Sequence, residues 1–84
     1  MNSQQQKILE RIFALPVDAN IEWRKIEALL VSLGCQRVEG RGSSVMFSKA
    51  GINVYFHRPH PQREALRYRV VDANKFLEAI GVKP

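Results

Sequence analysis

At 84 residues the chain has room for one small domain and none for a multidomain enzyme. A hydrophobic share of 45% beside 25% charged residues is that of an ordinary globular chain, which excludes wholesale disorder, and no stretch approaches the roughly 20 apolar residues that span a bilayer. The formal net charge is +5, and the single cysteine, Cys35, excludes an internal disulfide. With no basic-then-apolar pattern at Met1–Lys7, the expectation is a soluble, cytoplasmic protein.

In chain order, residues 3–15 read as a helix. Ser3 and Gln6 have capping-box spacing, Ile8, Leu9, Ile12 and Phe13 form an apolar stripe, and Pro16 stops the run. Residues 16–20 are a linker. A second helix is predicted over 21–33, with Asn20 as N-cap, Trp23, Ile26, Leu29, Leu30 and Leu33 on one face, and Gly34 after its end. The period then changes to two. Residues 35–39, 44–48 and 52–57 read as three strands, separated by turns at Gly40-Arg41-Gly42-Ser43 and Lys49-Ala50-Gly51. Alternation buries Val45, Phe47, Ile52, Val54 and Phe56 and puts Ser44, Met46, Tyr55 and His57 on the opposite, wetter face. Residues 58 to about 69 read as a basic loop containing Pro59 and Pro61. A last helix is predicted over about 71–80, ended by Gly81.

The order is α-α-β-β-β-α, an α+β two-layer sandwich with helices on one face of an antiparallel sheet. Residues 1–19 are expected to form an N-terminal helix and linker, and 20–84 the main domain, in a single structural unit overall. Without its first helix, the chain has the α-β-β-β-α order of double-stranded-RNA-binding domains.

The charge is unevenly spread. Residues 1–34 and 70–84 each balance, so the whole excess falls in 35–69, where Arg37, Arg41, Lys49, Arg58, Arg63, Arg67 and Arg69 face only Glu39 and Glu64. Six of these seven cations are arginine, the side chain suited to bidentate phosphate contact. Such a block suits a polyanion, either a nucleic acid or an acidic protein, although a merely solvated face has the same composition.

Most enzyme signatures are missing. No Gly-rich phosphate loop is present, one Cys and two His make no zinc set, and no carboxylate pair stands out. No cofactor and no metal are expected. Cys35 follows a helix end, where the dipole does not favour a thiolate, and reads as a core residue. The unusual segment is His57-Arg58-Pro59-His60-Pro61, which puts both histidines where a strand runs into the basic loop. Imidazole takes and gives protons near neutrality. RNA cleavage without metal needs a base for the 2′-OH, an acid for the leaving oxygen and cations for the developing charge. A rigid turn with two idle histidines has the same sequence.

Several pieces, taken in order, resemble the HicA family, small toxins of bacterial HicAB toxin–antitoxin systems, over about residues 23–82. They are Trp23-Arg24-Lys25-Ile26-Glu27-Ala28-Leu29-Leu30 with Leu33-Gly34, then Gly40-Arg41-Gly42-Ser43, then Phe56-His57-Arg58-Pro59-His60-Pro61, and finally Val71 to Gly81-Val82. The resemblance implies an mRNA interferase with a double-stranded-RNA-binding-like fold, cutting RNA without metal and neutralised by a HicB antitoxin that covers the active site. The family's catalytic histidine lies just after the Gly-Ser of the second strand, but here Gly42-Ser43 is followed by Ser44-Val45-Met46. Three accounts stand. His57 replaces it from the neighbouring strand, His60 acts from the loop, or the protein binds RNA or its antitoxin without cutting. The expected RNA-binding residues are Arg37, Arg41, Ser43, Ser44, Tyr55, Arg58, Arg63 and Arg67.

Overall fold

The computed structural model describes residues 1–59 and 63–84. Its elements are α1 (Ser3–Ile12), α2 (Trp23–Ser32), β1 (Gln36–Glu39), β2 (Ser44–Lys49), β3 (Ile52–His57) and α3 (Arg67–Ala79). After α1 the order is α-β-β-β-α, in the two-layer α+β arrangement expected from the sequence.

The three strands form one antiparallel sheet in the order β1-β2-β3. Register decides which residues share a face. Val45 pairs with Phe56 and Phe47 with Val54, so these side chains point together toward the helices. Val45, Phe47 and Phe56 are almost fully buried, with Ile26, Leu29 and Leu30 of α2 and Val70, Ala73, Phe76 and Leu77 of α3 in the same core. Phe56 meets the Trp23 ring at 4.7 Å and Phe47 at 6.3 Å, both tilted as aromatic quadrupoles prefer. The N-terminal helix is part of this core, since Ile8, Leu9 and Ile12 are buried in it.

The other face of the sheet is the wet one. Gln36 and Val38 of β1, Ser44, Met46 and Ser48 of β2, and Asn53, Tyr55 and His57 of β3 point away from the helices. No described element packs over them, and Tyr55 is 70% exposed. Among the described residues no helix is long and apolar enough to cross a membrane.

Helix boundaries differ from expectation for identifiable reasons. The capping box of α1 is built by Asn2 and Gln5, one residue before the Ser3–Gln6 pair, and α1 ends at Ile12, short of Pro16. The second helix starts at Trp23 because the chain before it is used otherwise. The Trp23 N–H donates to the Arg63 carbonyl (2.9 Å) and the Ala65 N–H to that of Ile21 (2.7 Å), a short antiparallel bridge that a helix from residue 21 would break. The third helix begins at Arg67 rather than 71, so Arg67 and Arg69 lie on its first turn and not in a loop. The ends of α2 and α3 fall as expected: Gly34 and Gly81 sit at φ of +86° and +81° and close Schellman turns, with the Cys35 N–H on the Leu30 carbonyl and the Val82 N–H on the Leu77 carbonyl.

Candidate functional site

The topology gathers five chain segments at one end of the sandwich. There β1 and β3 finish, β2 begins, and α2 and α3 start. Hydrogen bonds tie these segments together. The Arg58 N–H donates to the Ser43 carbonyl at 2.8 Å, fastening the end of β3 to the β1–β2 turn. Arg69 on the first turn of α3 donates through Nε to the His57 carbonyl at 2.6 Å. Neither α2 nor α3 has an acidic residue in its first turn or a side-chain cap hydrogen bond, and the positive ends of both helix dipoles lie at this end.

At the centre of the sheet side is a pair of opposed residues. In the β2–β3 register Ser44 stands directly across from His57. Directly opposite residues on one face hold their Cβ atoms roughly 5 Å apart. His57 is exposed, while the Ser44 hydroxyl is turned back and donates to the Arg41 carbonyl at 2.7 Å. That bond closes the 40–43 turn, and a Cβ at Gly40 would overlap Ser44 Oγ. An imidazole on β3 therefore stands beside the β2 position that follows Gly42-Ser43.

His57 and Arg58 point to opposite faces, and Arg58 enters an ion-pair cluster at the sheet edge. Its Nε and Nη2 bond the Glu27 carboxylate at 2.6 and 3.1 Å, and its Nη1 and Nη2 bond Glu39 at 2.7 and 2.8 Å. Arg37 completes the group, 3.6 Å from Glu27 and 3.7 Å from Glu39. Glu27 also accepts from the Trp23 indole N–H. Two arginines and two glutamates cancel. Glu27 is 8% exposed, and a carboxylate in that position needs these donors: removing one partner of a buried pair costs about 3–5 kcal/mol. The Arg58 hydrogen bond holds the Glu39 carboxyl below the usual carboxylate range.

The expected site residues thus separate into groups. Ser44, Tyr55 and His57 share the open face of the sheet. Ser43 contributes its carbonyl to the strand-end clasp. Arg37 and Arg58 have their guanidinium groups engaged by Glu27 and Glu39. Arg41, Arg63 and Arg67 are exposed at the same end and make no ion pair among the described residues. His60 lies outside the described residues. On the helix side of this end, Glu22, Trp23, Arg24, Arg58, Pro59 and Arg63 line an open cavity of about 460 Å³. Arg24 is paired with Glu22 at 3.0 Å, and that bond lowers the Glu22 pKa. Cys35 is buried, and burial pushes its thiol up, as a core residue requires.

Two residues important to this end were not evident in the sequence reading. Glu27 was detectable: it is the one acid on the apolar stripe of α2, four residues after Trp23. Arg69 had no local signal. It is 7% exposed, lies 4.7 Å over the Tyr68 ring, and its Nη1 finds no hydrogen-bond partner among the described residues.

A comparison with protein families adds an independent finding. The model described as the HicA toxin of bacterial toxin–antitoxin systems matches residues 23–82, from the first residue of α2 to just past α3. No curated protein and no solved structure gives a match.

Proposed function

The chain belongs to the HicA toxins of bacterial toxin–antitoxin systems, and from that membership we propose that it is a metal-independent endoribonuclease acting on mRNA, with His57 as its principal proton-transfer group. Membership makes the protein the toxin of such a pair, with an antitoxin as its partner. The observation that carries the enzymatic reading is the register of Ser44 against His57. The family pattern calls for a histidine just after Gly-Ser. In this chain an imidazole reaches the same patch of surface from the adjacent strand.

His57 takes the proton of a 2′-OH, the freed oxygen attacks the adjacent phosphorus, and the 5′-oxygen leaves with a proton from an acid. His60, three residues on, is the second candidate for that exchange. Arg41, Arg63 and Arg67 hold the phosphate and offset the charge developing on its oxygens. Arg58 and Arg37 act one step back: with Glu27 and Glu39 they fix the strand end from which His57 projects. A HicB-type antitoxin would neutralise the toxin by setting an acidic surface against the three free arginines.

The test is cleavage of a mixed-sequence RNA in excess EDTA by the wild type, His57→Ala and His60→Ala. Cutting by the wild type, slowed about 10²–10⁴-fold in His57→Ala, is the expected result. Intact RNA in every lane from folded protein would overturn the nuclease reading and leave a module that binds RNA or antitoxin without chemistry.

A further inference from the structure

The open face of the sheet is chemically graded away from the basic end. Its first row is Ser44 and His57. The second is Val38, Met46 and Tyr55, joined side by side because Val38 pairs with Met46 and Met46 with Tyr55. This second row has no charge, and the fold leaves it uncovered: Tyr55 is 70% exposed and Val38 42%. Successive rows on one face lie roughly 7 Å apart, a distance that the sugar and base of one nucleotide cover.

Double-stranded RNA presents phosphates and 2′-hydroxyls and keeps its base faces stacked, so a surface that docks a duplex needs cations. The cations here are at the end of the sandwich, and the row beside His57 has none. An unpaired nucleotide fits the reverse arrangement, with its phosphate at the arginines and its base face on an exposed aromatic ring. We infer that the Val38–Met46–Tyr55 row is a subsite for one unpaired nucleobase next to the scissile phosphate, with the Tyr55 ring as stacking platform. The inference rests on the ribonuclease reading and narrows it to single-stranded substrate.

The probe is a short single-stranded RNA carrying one 2-aminopurine, moved position by position, added to the His57→Ala protein so that nothing is cut. Stacking quenches this base. Quenching at one position is expected, abolished by adding Tyr55→Ala and retained with Tyr55→Phe. Tyr55→Ala is expected to weaken binding about tenfold, and an abasic site at the quenched position to weaken it equally and not additively. Tyr55 is largely exposed, so an unchanged melting temperature accompanies the loss. Quenching that survives Tyr55→Ala, a matched duplex bound as tightly as the single strand, or no RNA binding at all would overturn the subsite; the last would assign the face to a protein. The two readings fail separately. Single-stranded RNA that is quenched through Tyr55 but never cut by the wild type removes the nuclease and keeps the subsite. Cleavage with the same KM in Tyr55→Ala as in the wild type does the opposite.

Discussion

His57 and Arg58 are chain neighbours with opposite surroundings because successive strand residues face opposite sides of a sheet. His57 is left to solvent, and Arg58 is drawn to Glu27 and Glu39. The Glu39 bond gives a signed pH dependence. The carboxyl is held below its ordinary value chiefly by the Arg58 hydrogen bond, with burial opposing it and the charges of Arg58 and Arg37 assisting. A carboxyl depressed in the folded state contributes stability above its unfolded pKa, about 4.3 for glutamate, and that contribution is lost as pH falls through the folded value. Glu39→Gln is therefore expected to show a shallower fall in melting temperature below about pH 4.3 than the wild type. Melting curves between neutral and strongly acidic pH measure it; parallel acid limbs would show that Glu39 is not coupled to folding through Arg58.

Among the elements, α1 is the one whose role the family match does not cover, since the match begins with α2. Its packing gives it a structural role: Leu9 is fully buried, and Ile8 and Ile12 lie beside it against the α2 and α3 side of the core. Leu9→Ala is expected to cost about 3 kcal/mol, the usual range for a buried Leu truncation. In urea this appears as a lower midpoint with an unchanged slope. A cost below about 1 kcal/mol would mean that α1 frays independently of the rest. What was legible in the sequence follows the same division by element. The strands were readable because their period of two is set by local chain geometry, and that alternation alone put Ser44, Tyr55 and His57 on one face. The starts of α2 and α3 were not, because they are fixed by the pairing of residues 21–23 with 63–65, a contact across forty residues of chain. The fate of Arg37 and Arg58 was hidden for the same reason: a basic block is visible in sequence, but which of its members meet Glu27 depends on how β1, β3 and α2 converge.

For the whole molecule, the thirteen Lys and Arg residues overstate the cations available to a polyanion. Arg37 and Arg58 are offset by Glu27 and Glu39, Arg24 by Glu22 and Arg11 by Asp18, whereas Arg41, Arg63 and Arg67 make no ion pair among the described residues. Binding of single-stranded RNA releases counterions, and the slope of log K against log salt is about −0.7 for each phosphate neutralised. Arg41→Ala, Arg63→Ala and Arg67→Ala, each in the His57→Ala background, are then expected to reduce the slope by about 0.7 apiece. Arg37→Ala, which removes a cation already offset within the ion-pair cluster, is expected to leave the slope unchanged while lowering thermal stability. Affinities measured across a series of salt concentrations separate these cases. Four equal reductions would mean that the field of the whole basic end binds RNA, and that the ion-pair cluster opens to release its arginines. No reduction in the first three would place the phosphate path elsewhere on the molecule, away from the end where His57 stands.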